Sequence, residues 1–113
     1  MYFVYILASK KNGTLYVGFT GSISKRVNEH KNNKYGGFSK KYDVKSLVYY
    51  QEFLVVEDAL KRERQLKKWN RSWKIELIEK NNPDWKDLSL DLRNMTSQHE
   101  ILSVFFNKSN TND

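Results

Sequence analysis

The chain predicts an α+β fold: a small three-stranded antiparallel sheet flanked by helices, in the order strand, strand, helix, strand, helix, helix. Three observations carry this. Two runs rich in β-branched and aromatic residues, Tyr2-Phe3-Val4-Tyr5-Ile6-Leu7 and Leu15-Tyr16-Val17-Gly18-Phe19-Thr20, are separated by Lys10-Lys11-Asn12-Gly13, a hairpin signal. A third such run, Ser46-Leu47-Val48-Tyr49-Tyr50-Gln51-Glu52-Phe53, follows later in the chain. Beyond it, apolar residues recur at helical rather than strand spacing.

Each element has a local cause. β-Branched and aromatic side chains suit a pleated, half-buried surface, which favours the three strands. Gly21-Ser22 offers a helix start, and Ile23 and Val27 share one side of a helix over residues 23–31. Asn32 to Gly37 reads as a polar loop, followed by the basic-aromatic patch Phe38-Ser39-Lys40-Lys41-Tyr42. A long helix is expected over 57–69, with Glu57 and Asp58 in its first turn, where the helix dipole favours acids. A further helix over 72–79 stops near Asn81-Asn82-Pro83. Trp69, Trp73 and Trp85 are expected to pack in the core or between helices.

At 113 residues the chain has room for one modest core. We divide it into a domain over 1–92 and a polar tail over 93–113, broken only by Ile101-Leu102-Ser103-Val104-Phe105-Phe106. With no Cys, disulfides and thiolate metal sites are excluded. The first apolar run is too short for a membrane span, and a cytoplasmic protein is the expectation. The net charge of +7 and pI near 9.6 fit a polyanionic partner. Seven cations, Lys61, Arg62, Arg64, Lys67, Lys68, Arg71 and Lys74, crowd one stretch. With Lys40 and Lys41, these residues (Lys74 set aside) form the candidate nucleic-acid-binding surface.

Glu63 is the only acid within that stretch. On a helix of ~3.6 residues per turn it lies in line with Val56, Ala59, Leu60, Leu66 and Asn70, a stripe that should face inward. An inward carboxylate needs a cation of the protein or a bound metal ion. Pairing with Lys67 one turn on is the structural alternative, worth only ~0.2–0.5 kcal/mol on a surface. Magnesium is the fitting metal, because it needs one or two carboxylates plus water and substrate phosphate. Tyr5 and Tyr16 stand on neighbouring strands, with Gly18 two residues further on, where a strand glycine marks close approach of backbone or ligand. On the first helix, Arg26 and His30 are one turn apart and can address one ligand. Arginine offers a planar fork to phosphate; pairing with Glu29 is its structural alternative.

Together these residues resemble the GIY-YIG nuclease superfamily, especially its small stand-alone members related to the nuclease half of the bacterial excision-repair incision subunit. Val4-Tyr5-Ile6 stands at the first signature and Tyr16-Val17-Gly18 at the second. Arg26, His30 and Glu63 match the arginine, the aromatic-or-histidine position and the metal-binding glutamate. Leu47-Val48-Tyr49-Tyr50, Arg62-Glu63-Arg64-Gln65-Leu66-Lys67-Lys68-Trp69 and Asn82-Pro83-Asp84-Trp85 extend the likeness over about residues 2–90. Phe3 replaces the first signature's glycine, and Phe19 replaces a lysine used by the repair nucleases.

The resemblance implies a magnesium- or manganese-dependent endonuclease acting on DNA, with RNA as the other candidate. Tyr5, Tyr16, Arg26, His30 and Glu63 would be catalytic, and Glu63 the metal ligand. Glu63 is expected to face the tyrosines and Arg26 across a shared hollow. An ordinary phenol is only about 0.1% ionised at pH 7, so His30 is the better base on chemical grounds and Tyr16 the one the resemblance suggests. The competing readings are a non-catalytic nucleic-acid-binding module on the same fold and a protein-interaction domain using the tail's apolar run.

Overall fold

β1 (Tyr2–Ala8) sits in the middle of the sheet because it is apolar on both faces: Val4, Tyr5, Ile6, Leu7 and Ala8 are all fully buried. A strand without a polar face must be covered on both sides. β2 (Leu15–Thr20) pairs antiparallel along one side of it and β3 (Ser46–Phe53) along the other, giving the order β2-β1-β3. The sheet is therefore the three-stranded antiparallel one that the sequence predicts. The computed structural model describes residues 1–32 and 41–92. Residues 33–40, with the loop and Lys40, and the tail over 93–113 lie outside the described residues.

The hairpin closes as its sequence requires. Gly13 N–H donates to Lys10 O at 2.8 Å, while Asn12 takes the left-handed conformation at φ 59°. Between Ile6 and Leu7 the β1–β3 register shifts, and Val48 is the extra residue. This bulge keeps Leu47 opposite Leu7 and Tyr49 opposite Ile6, so each face stays matched.

Two cores result, one on each face. Tyr5 and Leu7 meet Ile23 and Val27 of α1 (Ile23–Lys31), together with Val44, Leu47 and Leu92. Val4, Ile6 and Ala8 meet Ala59 and Leu66 of α2 (Val56–Lys68) and Ile78 of α3 (Arg71–Asn81). Ser22 occupies the N-cap position of α1 without a side-chain capping bond, contrary to expectation. Thr20 Oγ1 instead accepts the Ser22 N–H at 3.0 Å. The break between α2 and α3 is made by Asn70, whose side chain accepts the Trp73 N–H at 2.9 Å. Trp69 and Trp85 pack in the core as expected, but Trp73 is 53% exposed.

After α3 the chain returns to the sheet as a strap. Asn82 donates to Val48 O at 3.1 Å, and Leu88 N–H donates to Leu47 O at 2.7 Å. Asp87 accepts the Leu47 N–H at 3.1 Å and the Ser89 N–H at 3.0 Å, and it holds the Lys31 ammonium at the end of α1. Burial alone would raise the Asp87 carboxyl, but the bonds from Lys31, Ser89 and Leu47 outweigh it and hold it low. Its stabilising contribution is therefore complete above the ordinary carboxyl value of 3.8 and is lost as pH falls through the lower folded value. Asp87→Ala strands Lys31 and the Leu47 N–H at a cost of about 1–3 kcal/mol. Thermal denaturation at neutral pH should show a drop of roughly 5–10 °C in Tm.

Candidate active site

Gly18 makes room for Tyr5. The two residues face each other across the β1–β2 ladder. A Cβ built on Gly18 would lie 2.4 Å from both Cζ and Oη of the Tyr5 ring. The close approach expected at this strand glycine is thus that of a neighbouring side chain. Lying over the glycine, the ring brings its hydroxyl 3.4 Å from His30 Nε2 on α1. Both partners are sealed from solvent, Tyr5 at 0% and His30 at 1% exposure.

Tyr16 completes a triangle of rings. Its centroid is 5.1 Å from that of His30 and 6.3 Å from that of Tyr5, with Tyr5 and His30 6.1 Å apart. Unlike the other two, Tyr16 is only half-buried and presents the cluster's outer member. Arg26 stands one turn before His30 and is half-buried, with Nε 3.5 Å from Glu29. The structural pairing with Glu29 is present, and it leaves the guanidinium close enough to affect His30. Burial first, then the Arg26 charge, pushes the His30 imidazole below 6.5, against a smaller opposing pull from Glu29. At neutral pH His30 is therefore uncharged, with one ring nitrogen free to accept a proton. Tyr5, Tyr16, Arg26 and His30 thus converge as the sequence suggests.

Glu63 comes from the other side. Ala59 and Leu66, which flank it by one turn each way, pack on Val4, Ile6 and Ala8, whereas Tyr5 belongs to the opposite core. α2 lies on β1 and β2, and the chain after it reaches the hairpin turn, where Arg71 donates to Asn12 O and Gly13 O at 2.6 Å each. Glu63 is inward, at 18% side-chain exposure, and its Oε2 is 3.0 Å from Lys67 Nζ. Both sequence-based expectations for it, an inward stripe and the one-turn ion pair, are realised together. The sheet stands between α2 and the aromatic cluster, and β2 is the edge strand that separates them from open space.

The basic stretch divides into structural and outward cations. Arg62 donates to Gln65 and Gln51 and lies 5.1 Å over the Trp69 ring, tying α2 to β3. Lys67 serves Glu63, and Arg71 clamps the hairpin turn. Lys61, Arg64 and Lys68 are exposed, and Lys41 lies 5.4 Å from the Tyr42 ring centre. A guanidinium fork satisfies carbonyls and rings as well as phosphates, so charge alone did not identify which arginines were already committed. Phe19, at the position of the repair nucleases' lysine, stacks on Tyr2 with centroids 6.1 Å apart.

The chain matches the model of the GIY-YIG catalytic domain over residues 1–76. It belongs to the GIY-YIG family. A UPF0213 protein of Syntrophus aciditrophicus is 41% identical over 83 residues, covering 73% of this chain and 93% of the relative. A UPF0213 protein of Staphylococcus saprophyticus is 35% identical over 77 residues, covering 68% and 93%. The chain is also similar to the solution NMR structure of a UPF0213 protein from Bacillus halodurans, at 26% identity, 77% and 93% coverage and a TM-score of 0.49. GIY-YIG is a nuclease superfamily, and its domain implies a nucleic-acid substrate. Among the described residues no helix is long and apolar enough to cross a membrane. The Asp87 strap lies beyond the matched residues, and sequence reasoning missed it.

Metal chemistry in a GIY-YIG domain is tested by the donors present. Among the described residues no group of three or more His, Cys, Asp or Glu could hold an ion. Glu63 is one inward carboxylate with a mobile lysine as its neighbour, a donor set that suits magnesium completed by water and phosphate and does not suit zinc.

Two outcomes follow from this geometry. Gly18→Ala should displace the Tyr5 ring and break its contact with His30, visible as changed His30 and Tyr5 side-chain resonances in a protein that still folds. Because the folded His30 value is depressed, its stabilising contribution is complete above 6.5 and declines as pH falls through the folded value. Melting temperatures measured from about pH 7.5 down to about pH 5 should begin to fall just under the ordinary imidazole range, and His30→Gln should flatten that decline.

Proposed function

We propose that this GIY-YIG domain is a magnesium-dependent endonuclease that hydrolyses phosphodiester bonds in DNA with weak sequence preference. The supporting observation is the half-buried Tyr16 backed by two sealed rings, Tyr5 and an uncharged His30, beside Arg26. Tyr16 is the member that meets the attacking water, and His30 behind it is the proton's destination, with Tyr5 orienting the imidazole. This division resolves the choice of base: a sealed imidazole has the better proton affinity, and an outer phenol has the access. The water oxygen bonds to phosphorus as the ester oxygen leaves, and Arg26 offsets the charge growing on the phosphoryl oxygens.

Glu63 would hold the magnesium ion, or manganese in its place. When bound, the ion supplies polarisation of the phosphate and stabilisation of the leaving oxygen. Because Glu63 and the aromatic cluster belong to opposite faces, a phosphate touching both lies at the free edge of β2. Exposed Lys61, Arg64 and Lys68 supply sequence-independent contacts to the backbone, which makes binding steeply salt-dependent. A cytoplasmic setting, consistent with the Cys-free composition, and a role in DNA repair belong to the same proposal.

The second reading is a nucleic-acid-binding module without turnover, favoured by the Glu63–Lys67 pair, which already neutralises the carboxylate. Duplex, nicked, branched and single-stranded DNA incubated with and without magnesium separates the two. We expect magnesium-dependent cleavage by the wild type, none by Glu63→Gln at nearly unchanged DNA affinity, and a loss of about 10²–10³ in rate for Arg26→Ala. Cleavage retained by Glu63→Gln would refute the metal assignment, and no cleavage by the wild type would establish the binding module.

A further inference from the structure

The sequence Lys67-Lys68-Trp69-Asn70-Arg71-Ser72-Trp73-Lys74 sets a cation on either side of each tryptophan. The fold treats the two indoles differently. Trp69 packs against the α2 core and beneath Arg62, whereas Trp73 is absent from that core and is more than half exposed. The rings meet edge to face, with centroids 5.7 Å apart and planes at 88°. Trp69 thus fixes the orientation of Trp73 without covering its face. Beside them runs an open groove of about 620 Å³ lined by both tryptophans, Leu77, Lys80, Glu76 and Glu79.

Charge decides what such a surface accepts. Glu79 accepts the Trp85 indole N–H at 2.7 Å and is turned to the domain, while Glu76 sits exposed at the groove. Those carboxylates repel phosphate from the groove itself. Outside its lining stand Lys68, Arg71 and Lys74, and Lys74 is pressed by partial burial and by the neighbouring Arg71 charge. An anion beside Lys74 relieves that repulsion. A ligand with a flat apolar ring and a flanking anion fits both halves, ring against indole and anion against cations. A nucleotide has this form. Its base offers a free face only when unpaired, since in a duplex both faces are stacked on neighbours.

We propose that Trp73 is a stacking platform for an unpaired base of the nucleic acid bound by this domain, with Lys68, Arg71 and Lys74 holding the adjacent phosphates. The platform lies at the hairpin-turn end of the molecule, because Arg71 is bonded to the turn carbonyls of Asn12 and Gly13. It therefore favours substrates that carry a single-stranded segment next to the bond cleaved. This rests on the nuclease reading for the identity of the ligand, but it is tested by binding alone.

The full-length chain, in chelator and at low salt, is titrated into a labelled single-stranded oligodeoxynucleotide about twelve nucleotides long and into its blunt duplex. Anisotropy and tryptophan fluorescence are read together. Trp73→Ala should weaken single-strand binding roughly tenfold and remove most of the fluorescence quenching, with duplex affinity changed less than about twofold. Trp73→Phe should keep most of the single-strand affinity, which excludes a folding defect as the cause. Unchanged single-strand affinity in Trp73→Ala overturns the proposal, as does an equal loss on the duplex. Loss of self-association at unchanged oligonucleotide affinity also overturns it, and assigns the surface to a second copy of the chain. Because no metal is present, a failure here leaves the cleavage reading standing, and absent cleavage leaves the platform standing.

Discussion

The passage of the Tyr5 ring over Gly18 is the constraint on which the site depends. It exists because one strand has no side chain where its neighbour needs space. The ring's position sets its hydroxyl against His30, and the packing of Tyr5 with Ile23 and Val27 sets α1 against the sheet. Arg26 and His30 are then delivered by the same helix face, one turn apart. A buried, uncharged imidazole is a consequence of this packing: the protein seals His30 with aromatic rings and places a guanidinium nearby.

Most of the fold could be read in the residues themselves. β3 runs over Ser46–Phe53 and α1 over Ile23–Lys31, the bounds that alternation and helical spacing give. α2 and α3 differ from their expected bounds by one or two residues at the ends, where helices fray. The aromatic cluster was also legible, since hairpin pairing brings Tyr5 and Tyr16 to one face. Other features were not. Helical periodicity identifies the inward side of α2, but it does not say which face of the sheet that side meets, so the position of Glu63 relative to the tyrosines required the fold. Nor does a sequence show whether a cation already has a carbonyl or a ring to serve, as Arg71 and Arg62 do. Trp73 escaped for a similar reason: an indole on a helix next to another indole reads as packing until its exposure is known.

A catalytic apparatus split across two faces of a sheet places its chemistry at an edge rather than in a cleft. β2 is short and ends a three-stranded sheet, so an extended polyanion can lie alongside it without displacing a lid. Such an arrangement grips little of its ligand. The outward lysines and arginine of α2 extend the contact in a way that ignores base identity, and affinity then depends on ionic strength more than on sequence.

The strap after α3 alters what counts as the functional unit. The family match ends at residue 76, yet the carboxylate that anchors the last residue of α1 belongs to Asp87, and Leu92 closes the core beneath that helix. A minimal domain cut at the motif boundary would retain every signature residue and lose the brace under the helix that carries two of them. Grafts, fusions and swapped chimeras made from this chain therefore need their junction after Leu92.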